Sequence, residues 1–499
     1  MAVPRKKRLH SWLPHGQVIT RSDIGIGDGP QLVRESTSSL PAHWSAGVEK
    51  GSMNIDTKQT DDAIGRLAMT KAMWRVVPLI LLAYLMAYMD RVNVSFASLQ
   101  MNSDLKFSAS IYGLGAGLFF LAYALFEVPS SLMLRRYSAP QWIARIMFTW
   151  GLLAAGMMFV RTPMQFYVMR FLLGAAEAGF FPSVIYYFSG WFPMAWRGRA
   201  VSRIYIASSL ASVVMGSISA GLLGLDGRGG LQGWQWLFLV QGLPAALMGL
   251  ILLWILPRAP LTARWLTVPE KSWLQRELAR DAALIGAPVR HNVWATLRNP
   301  MVFLLGAIGL LLNVFGIGLS LFAPAVLSIR AGLDTHAIGQ LVAAGGMLGV
   351  IGVLFVGWNS DRHGDRFRDA CVCAIICMTG LILIGVAPTP MLVMIGYLLF
   401  AATWFSDGVL IATSWADVLH PQQLAVGAAA INTVWSIGSF VAPYGFGLAR
   451  DATGGYTWGL IGSAIVAGAQ ALLILYVRAR VAAERRARSG TAALPVVPT

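Results

Sequence analysis

Long apolar runs recur along most of the chain and alternate with shorter polar breaks. A hydrocarbon layer of about 30 Å is crossed by a helix of roughly 20 apolar residues, and these runs have about that length. The predicted membrane-spanning helices are 73–98, 112–134, 141–160, 164–189, 201–224, 235–256, 301–324, 338–358, 370–387, 391–414, 425–447 and 456–478. The pattern therefore predicts an all-α membrane protein with twelve transmembrane helices.

One polar stretch is longer than the others and divides the spans into two sets of six. Residues 257–300 separate the predicted bundles 73–256 and 301–478, which suggests an internal duplication. In transporters built from such repeats, the substrate site lies between the halves near mid-membrane. We therefore expect two six-helix bundles around a central path.

The central stretch contains a predicted helix of its own. Thr267 and Glu270 have the spacing of a capping box, and Trp273, Leu274 and Leu278 follow on one helical face. This pattern is typical of a short amphipathic helix, which we place on the cytoplasmic surface.

The two ends of the chain are polar. Residues 1–72 contain a basic run at 5–8 but no apolar core for a cleavable signal peptide, so we predict a disordered cytoplasmic tail. The tail is either an overextended start, since Met53 or Met69 could begin the chain, or a segment that attracts anionic lipid, and the first interpretation is favoured. Residues 479–499 are predicted to be a cytoplasmic C-terminal tail.

The charge distribution fits a membrane protein better than a nucleic-acid-binding one. The chain is 56% hydrophobic and 12% charged, with a mean hydropathy of +0.61 and a net charge of +16. With the N-terminus placed inside, only five basic residues fall on the outer side: Lys106, Arg161, Arg228, Arg330 and Arg450. This asymmetry follows the positive-inside rule and predicts a bacterial inner-membrane protein with both termini in the cytoplasm.

The sequence contains no pattern typical of an enzyme or a metal site. Cys371, Cys373 and Cys377 share one apolar stretch, and the histidines lie in polar segments, so we expect no disulfide, metal or cofactor. A Walker-type GxxxxGK[ST], an HExxH and a GxSxG motif are missing from the sequence. The energy source expected instead is a proton gradient.

Charged side chains inside the spans are the candidate functional residues. Each costs about 2.5 to 3.5 kcal/mol at the bilayer centre on insertion scales, so each needs a partner or a function. They are Asp90, Arg91, Glu127, Arg170, Glu177 and Asp407.

The two arginines predict an anion-binding site. A guanidinium group presents a rigid fork of donors that matches a carboxylate and keeps its proton. Arg170, Gly174 and Glu177 share one stripe of their helix, and Gly174 leaves room for another helix or a ligand; Tyr88 and Arg91 share a face similarly. The expected cargo is a small organic anion.

The carboxylates predict proton coupling. Our hypothesis is that Asp90 and Glu177 take up protons and release Arg91 and Arg170 to hold the anion. The alternative is that these four residues form internal ion pairs that only hold helices together.

Several other polar residues remain open to two interpretations. Glu127 is a further proton-coupling candidate that faces either the cavity or a neighbouring helix, and Asp407 lies either in a wet cavity wall or at a coupling site. Asn313 and Asn432 could donate to a ligand, although bonding between helices is the favoured interpretation.

Long ordered strings resemble the anion:cation symporters of the major facilitator superfamily. They are YMDRVNVSFA, YALFEVPSSLML, WIARIMFTWGL, RFLLGAAEAGFFPSVIYYFSGWFP and GWQWLFLVQGLPA, and the likeness covers residues 73–478. Members of that family carry sugar acids, dicarboxylates or aromatic acids. The resemblance implies that carboxylate-binding or proton-carrying positions are Tyr88, Asp90, Arg91, Tyr123, Arg170 and Glu177, with Asn432 from the second half. Ser436 stands where many relatives have a second asparagine.

The segment GWNSDRHGDR resembles the cytoplasmic loop motif of the superfamily, which implies a conformational latch. The motif positions are Gly357, Asp361, Arg362, Gly364 and Arg366. The first-half loop LMLRRYSAPQW departs from the motif, since Arg135 and Ser138 stand where it has aspartate and glycine.

These observations together predict a monomeric carrier that imports an organic anion by proton symport through alternating access. Anion exchange by the same fold, or a sensor that binds the same ligand without moving it, are the alternatives. A channel is less consistent, because charges confined to a few helices suit one occluded site.

Overall fold

The computed structural model describes residues 61–285, 293–419 and 423–491, and the long regular segments in these ranges are α-helices. The first helix covers residues 61–75 (α1). The others are Val77–Asp104 (α2), Ala109–Leu132 (α3), Ala139–Gly156 (α4), Pro163–Glu177 (α5), Phe180–Ser189 (α6), Met194–Leu223 (α7), Gly233–Ile255 (α8), Val268–Ile285 (α9), Val293–Leu297 (α10), Pro300–Ala331 (α11), Thr335–His363 (α12), Arg366–Val386 (α13), Pro390–Val418 (α14), Leu424–Thr453 (α15) and Thr457–Thr491 (α16).

Twelve helical segments in the described ranges are long and apolar enough to cross a membrane. Helices α2 to α8 supply six of them, with α5 and α6 together forming one span, and α11 to α16 supply the other six. Large apolar side chains such as Trp254, Leu247 and Phe355 remain exposed, as expected where lipid is the solvent. The predicted all-α membrane fold with twelve transmembrane helices is confirmed.

The helices extend beyond the apolar runs that predicted them. Helix α11 continues to Ala331, and α16 continues to Thr491, so much of the predicted C-terminal tail is helical. Hydropathy marks only the part of a helix inside hydrocarbon, whereas backbone hydrogen bonds continue into the polar interface. The real ends come where the backbone turns, as at Gly364, whose φ of 70° is in the left-handed region.

The prediction of a disordered tail is wrong for its last twelve residues, 61–72, because these are helical. Ala68, Met69 and Ala72 are buried within the apolar core of the first half, which stabilises the helix. Residues 1–60 lie outside the described ranges, as do residues 286–292 of the predicted central loop.

The central stretch contains the predicted amphipathic helix, α9, packed against α1. Glu270 accepts a hydrogen bond from the Thr267 backbone at 2.8 Å, as the capping-box spacing predicted, and also from Lys71 Nζ at 2.7 Å. Arg276 forms an ion pair with Asp61 at 2.8 Å. These contacts attach α9 to the first half of the molecule.

The two halves meet along three helix pairs, α2 with α11, α3 with α15 and α7 with α12. We call the end of the bundle with the α2–α3 turn the Asp451 end, and the opposite end the Asp365 end. At the Asp451 end the Asp451 carboxylate accepts hydrogen bonds from the backbone of Ala109 and Ser110 at 3.1 and 2.9 Å. Tyr112 donates to the Leu321 carbonyl at 2.9 Å. These contacts close the Asp451 end.

Candidate functional site

Helix α2 presents one polar and aromatic face to the interior of the first half. Tyr84, Tyr88 and Arg91 follow one another at helical spacing, and the hydroxyls of the two tyrosines are 3.4 Å apart. Asp90 points elsewhere on the same helix and is buried. Neighbouring charges at 90 and 91 therefore enter different environments.

Arg91 forms an ion pair with Glu177 of α5. The Glu177 Oε1 atom accepts hydrogen bonds from Arg91 Nη2 at 2.5 Å and from Nε at 3.1 Å. The Arg91 side chain is 26% exposed, whereas that of Glu177 is 1% exposed, and Glu177 Oε2 has no hydrogen-bond partner. The arginine is thus the member of the pair that a ligand can contact.

Three aromatic rings surround the Arg91 guanidinium. Its Cζ lies 5.1 Å from the centroid of Tyr88, 5.2 Å from that of Tyr123 and 5.6 Å from that of Phe119. A cation this close to an aromatic face is attracted by the ring quadrupole. The rings therefore hold the guanidinium in an apolar setting, where Glu177 is the carboxylate that pairs with it among the described residues.

Arg170 packs against the same ring as Arg91 but is buried. We call Arg91, Glu177, Phe119 and Arg170 the Arg91 cluster. The Arg170 Cζ lies 4.8 Å from the centroid of the same Phe119 ring, and the residue is 1% exposed. Its Nε and Nη1 atoms lack hydrogen-bond partners, and Asp90 supplies the strongest opposite charge acting on it. The two predicted arginines are therefore brought together around Phe119, although only Arg91 is accessible in this structure.

Gly174 leaves room for a helix rather than for a ligand. A Cβ at this position would clash with the backbone carbonyl of Phe119 on α3. Of the two interpretations of this glycine, the structure favours close packing of α3 on α5.

The fourth span is broken directly after Glu177, which the sequence analysis missed. Helix α5 ends at Glu177, and Gly179 adopts a φ of 84° before α6 begins at Phe180. Pro182 lacks the N–H that would bond the carbonyl of residue 178, so a continuous helix is disfavoured there. The pairing of Gly179 with Pro182 was the available signal. The break places the carboxylate at a helix end, as in discontinuous helices of transporters.

Two polar residues of the second half act between helices. Asn432 of α15 donates a hydrogen bond of 3.0 Å to Glu127 of α3, so both residues connect the two halves. Asn313 donates to the Trp435 carbonyl at 3.0 Å, within the second half. Helix-to-helix bonding, the favoured interpretation of the asparagines, describes both contacts, and Glu127 likewise bonds to a helix of the other half. The role of Glu127 in proton coupling stays a prediction.

A cavity between the halves has Val92, the residue directly after Arg91, as its first lining residue on α2. The first half contributes Val92, Ser95 and Ser212, and the second half contributes Tyr397, Trp404 and Phe405 among others. The rings of Phe400 and Trp404 are stacked with centroids 5.7 Å apart. Sequence reasoning missed this aromatic wall of the cavity. Tryptophans and phenylalanines that line a cavity have the same helical spacing as those that pack helices or form interfacial belts.

The shortest ion pair of the predicted latch, at the Asp365 end, is with a residue outside the motif. Arg366 donates to Asp417 of α14 at 2.8 Å, whereas its distance to Asp361 is 3.8 Å. Asp365, which the motif did not single out, pairs with Arg478 at 2.8 Å.

Other members of the loop motifs have local contacts. Gly364 caps α12, and the Arg362 guanidinium lies over the Trp358 ring at 5.5 Å. In the corresponding first-half loop, the Ser138 hydroxyl donates to Gln141 at 2.8 Å. The second-half turn therefore joins α12 and α13 to α14 and α16.

Asp407 is not in a wet cavity wall. It is 0% exposed, and its Oδ2 atom accepts a hydrogen bond from Gln470 of α16 at 3.0 Å. Both residues lie inside the second half, apart from the Arg91 cluster.

The fold and this central cluster define a polytopic membrane transporter of two six-helix halves. Residues 80–443 match the family model described as Major Facilitator Superfamily, and the chain belongs to that superfamily. The resemblance noted from the sequence is thereby confirmed at the level of the superfamily.

Named relatives are similar over much of their length. The chain is 44% identical to a protein of Pseudomonas putida named for metabolite transport, NicT, over 63% of this chain and 72% of the relative. It is 38% identical to a protein of Agrobacterium vitis named as a tartrate transporter, over 80% of this chain and 89% of the relative. A bacterial homologue of the human lysosomal transporter Spinster, solved in an inward-facing occupied conformation, has a similar fold, with a TM-score of 0.67 and 15% identity over 81% of this chain and 96% of the other.

Proposed function

We propose that the protein is an anion:cation symporter that imports a small organic carboxylate together with protons by alternating access. The observation that supports this most directly is the Arg91–Glu177 pair, in which the cation is accessible and the acid is buried. A guanidinium held at membrane depth by one carboxylate can exchange that partner for the carboxylate of a ligand.

Charge balance links the ligand to a proton in this proposal. When a substrate carboxylate binds Arg91, Glu177 loses its partner, and a buried carboxylate without a partner is costly. Uptake of one proton by Glu177 removes that cost, so substrate and proton bind together. Asp90 plays the equivalent part beside Arg170 once the cluster rearranges to expose it.

The closed Asp451 end supports a direction for this structure. Basic residues are concentrated at the Asp365 end, which the positive-inside rule assigns to the cytoplasm. On that assignment the protein lies in the bacterial inner membrane with both termini in the cytoplasm, and the structure is a state closed to the outside. Rocking of the first-half helices α2, α3 and α7 against α11, α15 and α12 would separate the halves at the Asp451 end.

The substrate class is a small carboxylate such as a dicarboxylate, a sugar acid or an aromatic acid. The relative named for tartrate transport supports an organic acid. The aromatic side chains around Arg91 and along the cavity suit the carbon skeleton of such a molecule, while Ser95 and Ser212 offer hydroxyl groups.

Purified protein in proteoliposomes tests this function. With an acidic exterior, the wild type should accumulate a labelled carboxylate chosen by a thermal-shift screen of tartrate, aldarates, hydroxyphenylacetate and phthalate. R91Q should abolish binding and uptake. E177Q should still exchange labelled for unlabelled substrate but should no longer respond to the pH gradient.

The control is R161Q, because Arg161 lies in an exposed turn and donates only to nearby carbonyls. R161Q should transport like the wild type. Undiminished uptake by R91Q would overturn the proposal. Uptake that depends on internal counter-substrate but not on pH would identify an exchanger, and binding without counterflow would identify a sensor.

A further inference from the structure

The second half contains a buried acid that the substrate site does not use. Asp407 of α14 is fully buried and bonds to Gln470 of α16, which is also fully buried. Two acceptor atoms of this pair, Asp407 Oδ1 and Gln470 Oε1, have no hydrogen-bond donor. A buried acceptor without a donor destabilises the folded state, and here two such acceptors belong to side chains already in contact.

An ionised Asp407 would carry a charge that no described basic side chain compensates. Within the described ranges, no basic side chain forms an ion pair with it. The titratable groups that face it are the thiols of Cys371, Cys373 and Cys377 on α13. Helices α11, α12 and α15 carry charged residues only near their ends. A carboxylate at this position would have a single neutral donor.

One proton on Asp407 would remove both the unpaired acceptor atoms and the uncompensated charge. A carboxylic acid and a primary amide can form a cyclic pair, in which the amide N–H donates to one carboxyl oxygen and the acid O–H donates to the amide oxygen. The existing bond from Gln470 Nε2 to Asp407 Oδ2 is half of that pair. A proton on Oδ1 supplies the missing donor for Gln470 Oε1 and neutralises the acid.

We propose that Asp407 and Gln470 form a proton-binding site in the second half, separate from the Arg91–Glu177 site, in which Asp407 is a neutral acid at neutral pH. The site does not depend on the proposed transport function, because it follows from the burial and the unpaired atoms of these two residues. A small monovalent cation such as Na⁺ is the alternative ligand that Asp407 Oδ1 and Gln470 Oε1 could coordinate, since hard cations bind oxygen atoms.

Infrared difference spectroscopy of the purified protein in lipid at pH 7 tests the site. The carbonyl stretch of a protonated carboxyl should be present in the wild type, should shift on exchange into heavy water, and should be lost in D407N. E177Q should keep this band, because Glu177 is ion-paired with Arg91. Q470L should shift the band by removing the amide partner.

The matched comparison for folding is D417N, which removes a carboxylate that forms an ion pair with Arg366. D407N should keep the melting temperature of the wild type, since an amide replaces a neutral acid, whereas D417N should lower it. Identical carboxyl spectra of the wild type and D407N would overturn the proposal. Loss of the wild-type band on addition of NaCl, but not of choline chloride, would replace the proton by a sodium ion and would overturn it as well.

Discussion

Asn432 donates a hydrogen bond of 3.0 Å to Glu127 across the interface between the two halves, from α15 to α3. Interhelical hydrogen bonds of this kind contribute about 0.6 kcal/mol on average in membranes. We expect N432A and E127L to be non-additive by about that amount in a double-mutant cycle of unfolding free energy, measured by denaturant titration in detergent. Additive effects would show that the two side chains do not interact in the folded protein.

Gly174 should tolerate no side chain. G174A places a methyl group against the Phe119 carbonyl, and overpacking of this kind costs about 1 to 3 kcal/mol. The matched control is G221A, because a Cβ at Gly221 of α7 meets nothing within 4 Å. G174A should lower the melting temperature and G221A should leave it unchanged or raise it, since alanine is the better helix former. Equal melting temperatures for the two variants would contradict this packing.

The contact of Glu270 with Lys71 should make the docking of α9 sensitive to acid. Burial raises the pKa of Glu270, but hydrogen bonds from Lys71 and from the Thr267 backbone outweigh it and hold the pKa below its ordinary value. A lowered pKa stabilises the folded state above the ordinary glutamate pKa of about 4.3, and this contribution is lost as the pH falls through the lowered value.

E270Q should therefore melt at a lower temperature than the wild type at pH 7, and the difference should shrink below about pH 4. The measurement is the melting temperature of both proteins over a series of pH values. E277Q is the control, because Glu277 has only a 3.9 Å contact with exposed Arg280. A difference for E270Q that is constant with pH would show that the ion pair is not the cause.

Arg366 should matter more than Arg362, although both belong to the loop motif. Arg366 donates to Asp417 and to the Thr413 carbonyl, so it joins the α12–α13 turn to α14. R366Q and D417N should each slow transport, and the double variant should be no slower than either alone. R362Q should have a smaller effect, because among the described residues the Arg362 guanidinium contacts the Trp358 ring and forms no ion pair. Transport rates in proteoliposomes decide between these outcomes.

The spans and the central cluster could be predicted from the sequence because the bilayer imposes simple rules. Apolar length predicts a crossing helix, and a charge inside such a helix stands out, as Arg91 and Glu177 did. Their pairing was among the alternatives considered. Accessibility was not predictable, because helical spacing alone does not decide that Arg170 lies under Phe119 while Arg91 remains open.

Features that depend on contacts between distant segments were harder to predict. The partner of Asp407 lies 63 residues away on another helix, and the partner of Glu127 lies 305 residues away. The aromatic wall at Trp404 gave no distinct signal, since its composition matches ordinary helix packing. The helical segment 61–72 was missed because its polar residues pair with α9 instead of entering hydrocarbon.

The carboxylate of Asp451 accepts hydrogen bonds from two backbone N–H groups in the first turn of α3. This contact lies at the rim of the bundle, where water reaches the helix ends. Water can therefore bond to both N–H groups when the halves separate. Separation at this rim therefore strands no polar atom in a dry environment. Under the proposed alternating access, this end could open and close quickly. The buried bond of Tyr112 to the Leu321 carbonyl has no solvent to replace it and should break last.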